Sequence, residues 1–121
     1  VEGVGGILVP IYKNYLVTDL IKDLDLAVII VAKPGLGTIN HTLLTIRQAK
    51  VSRINVLGVI ISNYDEANAG IAEMTAPEVI ERIGKVPVLG IVSHIEGAET
   101  EKGFKALVKE VEERVNFDLI C

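Results

Sequence analysis

The chain has 121 residues, which is the size of one domain, and we treat residues 1–121 as a single domain. Its net charge is −4 and it has no Lys/Arg cluster, which argues against a nucleic-acid partner because phosphate binding needs a basic patch. Half of the residues are hydrophobic but only 4% are aromatic, so Val, Ile and Leu must fill the core. This bias suits strands buried on both faces.

The sequence contains no apolar run of the roughly 20 residues that a membrane-spanning helix needs. It also lacks a basic segment followed by a cleavage site, the pattern of a secretory signal. The one cysteine, Cys121, excludes an internal disulfide framework and fits a reducing compartment. We therefore expect a cytoplasmic protein with no membrane partner.

The first half of the chain predicts two helices and a buried strand. ILVPI has the pattern of a short extended segment, in which Pro10 argues against a central strand. YLVTDLIKDL has helical spacing, and DLAVIIVAKPG is a buried strand that ends at a Pro-Gly pair. A second helix is expected from Thr38 to about Lys50.

The second half repeats the alternation of strand and helix. INVLGVIISN is a buried strand, a polar stretch covers Tyr64 to Thr75, and APEVIERIG is a helix closed by Gly84. VPVLGIV is the third strand. The last helix is predicted from about Thr100 to Val115, with an apolar stripe of Phe104, Leu107, Val108 and Val111.

This alternation predicts an α/β fold, a parallel sheet with helices on both faces. Ligands of such sheets bind at the carboxyl ends of the strands. Four stretches lie at those positions: residues 2–6, 33–40, 63–65 and 93–99.

Each of these stretches has a functional and a structural interpretation. The glycines of EGVGG allow backbone N–H groups to approach an anion, and Glu2 could hold Mg²⁺, but a tight turn has the same composition. The helix start after KPGLG is suited to an anion, although on the residues alone a plain capped helix after a Gly-rich connection is favoured. Asn63 could present its amide to a nucleobase or could simply form a turn.

Several common motifs are absent from the sequence. No GxxxxGK[ST] phosphate loop occurs, and no GxGxxG follows a complete strand. Ser93 and His94 follow a strand, but no nucleophile and base can be paired with them. His41 has no second metal ligand at a suitable spacing and is expected to pack or bond within its helix. The chain therefore contains only half of a nucleotide site.

Together the motifs resemble the dethiobiotin synthetase family. The resemblance is carried by VEGVGGILVPI, VIIVAKPGLGTINHTLLTI, VLGVIISN and VPVLGIV, which occur in the family's order and extend from Val1 to about Ile95. GLGTINHTLLT is the most specific stretch. In that family the Glu-Gly-x-Gly-Gly turn lies in mid-chain, so this sequence is similar to the C-terminal half of such an enzyme, without the half that carries the phosphate loop.

The resemblance implies a P-loop NTPase-like, Rossmannoid fold and a homodimer. It implies an ATP- and Mg²⁺-dependent cyclo-ligase of biotin biosynthesis, which converts 7,8-diaminononanoate and CO₂ or bicarbonate into dethiobiotin through a carbamate that ATP phosphorylates. The catalytic lysines of the family belong to the N-terminal half. The 121 residues alone are therefore expected to be inactive.

The resemblance also implies which residues form the sites. Glu2 matches an acidic Mg²⁺ ligand, and Asn63 matches an adenine-reading Asn. The residues assigned to the nucleotide and its metal are Glu2, Gly3, Val4, Gly5, Asn63, Tyr64, Ser93, His94 and Ile95. Those assigned to the substrate carboxylate, which would come from across the dimer interface, are Gly5, Leu36, Gly37, Thr38, Ile39 and Asn40.

The departures from the family's pattern leave alternatives open. Where the family commonly has Pro after the last strand, this chain has VSHI, so the contacts of residues 93–95 are the least supported. One alternative is a non-catalytic binding or regulatory domain that keeps the fold without the phosphate loop. Another is a cobyrinate amidase-type ligase, which would need a nucleophilic Cys, and Cys121 is poorly placed for that role.

Overall fold

The structure, a computed structural model, describes residues 1–3 and 5–120. Strands and helices alternate along most of the chain. In chain order the elements are β1 (Pro10–Tyr12), β2 (Tyr15–Leu16), α1 (Val17–Asp23), β3 (Val28–Ala32), α2 (Thr38–Val51), β4 (Val56–Tyr64), α3 (Ile71–Gly84), β5 (Val88–Ser93) and α4 (Glu101–Arg114), followed by a 3₁₀ turn at Phe117–Leu119.

The main sheet contains three parallel strands in the spatial order β3-β4-β5. Each strand is a short apolar run rich in Val and Ile, as expected for strands that helices cover. Helix α2 joins β3 to β4 and helix α3 joins β4 to β5. All three strand carboxyl ends therefore lie at the same edge of the sheet.

Helices cover both faces of the sheet, as predicted. On one face, α2 and α3 enclose the larger core, which consists of Ala32, Ile46, Val59, Ile61, Ala76, Ile80 and Val86. On the other face, α4 packs on β5 through Leu107 and Val111, against Leu89, Val92 and Val115. The predicted α/β fold with a parallel sheet is confirmed.

The N-terminal segment forms a separate two-stranded antiparallel sheet of β1 and β2. Backbone N–H groups of Val17 and Thr18 donate to the carbonyls of Val9 and Ile7, which ties the start of α1 to this hairpin. Pro10 lies in this small sheet rather than in the main one. Its position agrees with the argument that a proline is unsuited to a central strand.

The bounds of α3 differ from the prediction. The helix begins at Ile71 rather than at about Ala76, and Pro77 lies inside it. A Glu73 carboxylate oxygen accepts the backbone N–H of Gly70 at 3.0 Å, which stabilises the earlier start. At the other end, Lys85 has the left-handed conformation (φ 55°), and Gly84 is the last helical residue.

The predicted apolar stripe of α4 is wrong for two of its four residues. Leu107 and Val111 pack on the sheet, whereas Phe104 is 59% and Val108 41% exposed. The reason is that α4 contacts the sheet mainly along β5, so a narrow face of the helix is enough to cover it.

Candidate functional site

The carboxyl ends of β4 and β5 meet at an irregularity in the strand pairing. Ser62 is opposite Val92 and Tyr64 is opposite Ser93, so Asn63 is an extra residue on β4. Asn63 has a left-handed backbone (φ 69°), a conformation that Asn tolerates better than most residues. Such bulges redirect a side chain and are frequent beside functional sites.

The redirected side chain of Asn63 meets His94, the residue after β5. The Asn63 Oδ1 and His94 Nδ1 atoms are 2.5 Å apart. The backbone N–H of His94 donates to the carbonyl of Tyr64 at 2.9 Å. The structure therefore brings together four of the predicted nucleotide-binding residues: Asn63, Tyr64, Ser93 and His94.

Helix α4 supports this group through Glu110. The backbone N–H of Ser93 donates to Glu110 Oε1 at 3.2 Å, and the same oxygen lies 3.4 Å from Arg114 Nε. The Ser93 side chain, then its backbone N–H and the Arg114 charge, hold the pKa of Glu110 below its ordinary value. Glu110 thus remains a carboxylate and anchors the end of β5.

A tight polar turn follows Asn63. Asp65 accepts hydrogen bonds from the backbone N–H groups of Ala67 and Asn68 and from the Asn68 side chain at 2.7 Å. The Asn68 side chain is the largest cause of a lowered Asp65 pKa, and the charge of His94 also contributes. A charged Asp65 therefore closes the loop beside the Asn63 and His94 pair.

A second group of predicted residues lies at the carboxyl end of β3. A cavity of about 320 Å³ opens there between β3 and the first turns of α2. Its walls include the predicted residues Leu36 and Thr38. They also include Lys33, His41, Thr42 and Thr45, which the sequence analysis did not assign to a ligand.

This cavity is suited to an anion. Helix α2 begins beside it after Gly37, whose left-handed backbone (φ 93°) turns the chain into the helix. The first turn of α2 contains no acidic residue of its own, although a Glu73 carboxylate oxygen lies 3.6 Å from the Cβ position of Gly35 in the preceding loop. Lys33 adds a cationic group to the cavity wall.

The remaining predicted residues of this stretch are placed differently. Ile39 packs against the core, so any ligand contact it makes must come from its backbone. Asn40 lines another groove, between α2 and α3. Leu36 is 98% exposed at the tip of the loop. His41 donates its backbone N–H to Gly37, and its ring lies against Gly37, as expected for packing within the helix.

The Gly-rich loop at the start of the chain packs beside the N-terminal hairpin. Glu2 is exposed, and Gly5 has a left-handed backbone (φ 83°). Cβ atoms at Gly3 and Gly5 would face Val17 and Val9, so the loop lies against the N-terminal hairpin. The predicted residue Val4 lies outside the described residues.

Two absences in residues 1–3 and 5–120 bear on the site's surroundings. No helix in this part of the chain is long and apolar enough to cross a membrane. Within the same residues, no three or more His, Cys, Asp or Glu side chains are grouped closely enough to hold a metal ion by themselves. Ile95 is half-buried in the loop after His94.

The sequence analysis missed Glu110, and it included Lys33 in the candidate stretch 33–40 without giving it a role. Glu110 lies 17 positions after Ser93 and reaches it only through the fold, so no local motif marks it. Lys33 follows directly on β3, and its position at a strand end was the available signal.

Comparison with known proteins extends these observations. A family model described as an AAA domain matches residues 1–102. Relatives described as ATP-dependent dethiobiotin synthetase BioD include one from Bacillus velezensis, 50% identical over 101 residues, which are 84% of this chain and 43% of the relative. Another, from Thermodesulfovibrio yellowstonii, is 43% identical over 126 residues, covering 98% of this chain and 50% of the relative.

An archaeal relative of the same description, from Methanocaldococcus jannaschii, is 43% identical over 101 residues, which cover 84% of this chain and 47% of the relative. The chain thus spans about half the length of the curated relatives it matches. The resemblance to dethiobiotin synthetases seen in the motifs is confirmed. Because the family model matches most of its length, the chain belongs to this AAA-domain family, in which its relatives are ATP-dependent dethiobiotin synthetases.

Proposed function

We propose that this chain is the C-terminal part of an ATP- and Mg²⁺-dependent dethiobiotin synthetase. In this proposal the complete enzyme is a cytoplasmic homodimer that closes the ureido ring of dethiobiotin from 7,8-diaminononanoate and CO₂ or bicarbonate. The observation that carries the proposal is the identity of 40–50% to relatives of that description over nearly the whole chain. The 121 residues alone are expected to give no turnover, because they contain no phosphate-loop lysine.

The geometry supports a division of labour between two strand ends. The group of Asn63, Tyr64, Ser93 and His94 at β4 and β5 would bind the nucleobase, since it combines an amide and backbone groups at one edge of the sheet. The cavity at β3 and α2 would receive the substrate carboxylate. A helix N-terminus together with Lys33 supplies the positive potential that a carboxylate requires.

The Mg²⁺ ion would take one ligand from this chain. Glu2 is an exposed carboxylate beside a Gly-rich loop, and Mg²⁺ bound to a nucleotide usually takes one or two carboxylates and keeps several waters. A single carboxylate is therefore a fitting donor set for this half of the site. When bound, the ion would neutralise charge on the phosphates during phosphoryl transfer.

The proposal is tested with the complete gene product that contains this chain. Supplied with 7,8-diaminononanoate, bicarbonate and Mg-ATP, it should form dethiobiotin and ADP in equal amounts, measured by mass spectrometry. Glu2→Gln removes the metal-binding charge and should lower turnover by roughly ten-fold or more. Glu78→Gln, which removes an exposed carboxylate on helix α3 away from the four candidate stretches, is the control and should leave turnover unchanged.

The rival function is a non-catalytic binding or regulatory domain. Its support is that the described residues contain two apolar clusters of their own, one on each face of the sheet. A folded, full-length dimer that forms no dethiobiotin under these conditions would contradict the ligase proposal and favour this rival. Nucleotide binding without product, measured by calorimetry, would identify it.

A further inference from the structure

We propose that an apolar surface beside helix α4 is the docking site of a helix from the N-terminal part of the complete protein. The surface consists of Ile29 and Val31 on β3 and of Phe104 and Val108 on α4, and we call it the open face. This inference rests on the proposed function only in that the chain is the C-terminal part of a longer protein. It assigns the contact that holds the two parts together.

Strand β3 turns its side chains alternately to the two faces of the sheet. Ile30 and Ala32 pack into the larger core with α2 and α3. Because the side chains of a strand alternate, Ile29 and Val31 point to the opposite face, which is the face that carries α4. Val31 is 68% exposed there. The described part of the chain therefore covers β3 well on one face only.

Helix α4 covers the edge strand β5 and leaves room for another helix beside it. It packs on Leu89 and Val92 of β5 and reaches Ile60 of β4, but β3 lies one strand further away. Neighbouring strands are about 4.8 Å apart, so β3 lies roughly 10 Å from β5. The axes of two packed helices are also about 8 to 10 Å apart. A second helix over β3 would therefore contact α4 directly.

Helix α4 has an apolar flank on the side where such a helix would lie. At about 100° of turn per residue, Phe104 and Val108 lie on one flank of the sheet-facing side of α4, and Glu110 lies on the opposite flank. Glu110 contacts Ser93 of the edge strand β5, so the flank of Phe104 and Val108 faces β4 and β3. These are the two residues of the predicted apolar stripe that the sheet leaves exposed. The open face thus has a floor on β3 and a wall on α4.

The N-terminal part of the complete protein is the occupant that these features favour. The faces of a parallel sheet are covered by helices of the same molecule, because helical crossovers join its strands. The chain spans about half the length of its curated relatives, so in the proposed function a part of similar length can supply this helix. Four side chains are too few to bury the roughly 800 Å² per partner of a stable dimer interface, which argues against a second copy.

Thiol labelling of the complete gene product tests whether the open face is covered. The thiol of Val31→Cys should react with a maleimide at least roughly ten-fold more slowly than that of the control Val51→Cys, because its labelling requires local opening. Val51 is a matched control, since it is 72% exposed at the end of α2, on the other face of the sheet. Labelled peptides are identified by mass spectrometry, so that Cys121 does not contribute to the measured rates.

A photo-crosslink identifies the occupant and does not depend on the folding of the Val31→Cys variant. A p-benzoylphenylalanine residue in place of Phe104 keeps an aromatic side chain on the wall of the open face. Irradiation of the complete gene product should give a product of monomer mass on a denaturing gel, crosslinked to a peptide that precedes Val1. A product of dimer mass, or a crosslink within residues 1–121, would overturn the proposal.

The outcomes separate this inference from the ligase proposal, because neither measurement depends on turnover. Equal labelling rates of Val31→Cys and Val51→Cys, in a protein that forms dethiobiotin, overturn the docking site and leave the ligase proposal standing. Slow labelling of Val31→Cys with the expected crosslink, in a protein that forms no dethiobiotin, supports the docking site and contradicts the ligase proposal. Protection of Val31→Cys that is lost on dilution would identify a second copy as the occupant and overturn the docking site.

Discussion

Single residues determine how closely the backbones of this fold approach each other. Gly90 lies in β5 where the end of α4 crosses it. A Cβ atom at this position would lie 2.5 Å from the carbonyl oxygen of Arg114 and 2.9 Å from the Cα of Val115. Both of these atoms belong to the backbone and cannot move by a rotamer change. Gly90 is therefore required for α4 to pack on β5.

Gly90→Ala should lower the free energy of unfolding by about 1 to 3 kcal/mol, the usual cost of an added methyl in a packed region. Urea denaturation followed by circular dichroism measures the change. Gly6→Ala is the control, because a Cβ there would meet Val9 at an ordinary 3.9 Å. Equal stability of Gly90→Ala and wild type would contradict the predicted clash.

At this scale the sequence predicted the positions of site residues better than their geometry. Asn63 and His94 were both located at strand ends from the apolar runs that precede them. The bulge at Asn63 and its contact with His94 depend on the register between β4 and β5. Register is a property of two strands together, and a single strand's pattern does not contain it.

Helix α4 shows how one element supports a site on another. Its Glu110 accepts the backbone N–H of Ser93 at the end of β5, and the Ser93 side chain is the main cause of the lowered Glu110 pKa. A carboxyl whose pKa is lowered by folding stabilises the folded state above its unfolded pKa. That contribution is lost as the pH falls through the folded pKa.

Glu110→Gln should therefore be less stable than wild type at pH 7, and the difference should shrink as the pH falls below 4.5, the ordinary value for this carboxyl. The measurement is the urea midpoint of both proteins over this pH range. Glu113→Gln, an exposed partner of Lys109 on the same helix, should show a smaller effect. A difference that grows on acidification would contradict the assignment.

The sequence predicted the helices and the main-sheet strands, but the start of α3 and the buried face of α4 differ from the prediction. The sequence analysis assigned this helix to APEVIERIG, which begins at Ala76. The structure starts α3 at Ile71, because the side chain of Glu73 caps the preceding Gly70. The width of the buried apolar face of α4 was overestimated, because the spacing of apolar residues does not show how much of the helix the neighbouring sheet covers.

At the scale of the whole molecule, the sheet is covered unevenly. Helix α4 lies on β5, and at the far side of the same face β3 exposes Val31 (68%) and part of Ile29 (36%). The sequence predicted β3 as fully buried because all five of its residues are apolar. Exposed apolar strands at a sheet edge promote association between molecules.

We expect the 121-residue chain to self-associate through this edge, and Val31→Thr should reduce the association. The substitution should not lower stability, because surface substitutions usually change it by less than about 0.5 kcal/mol. Light scattering at increasing protein concentration measures the association, and a thermal melt measures the stability. The same substitution at the fully buried Val59 is the control. Val59→Thr should lose about 1 to 3 kcal/mol, because its hydroxyl would be buried in an apolar core.

Unchanged scattering by Val31→Thr would show that β3 does not drive association.

The fold class could be predicted without a structure, because three repetitions of strand and helix allow few other arrangements. The spatial order of the strands and the exposure of β3 could be determined only from the structure. Both depend on which strand occupies the edge, and local patterns are the same for edge and centre.

The topology of the main sheet also affects how fast its strands can pair during folding. Val28 pairs with Val56, and Val59 pairs with Val88, so each strand pair encloses a whole crossover helix. A polypeptide must lose the entropy of closing these loops before the pairing gains any enthalpy. When α2 and α3 form early, they shorten the loops that must close. Their helical propensity should therefore raise the rate at which the strands pair.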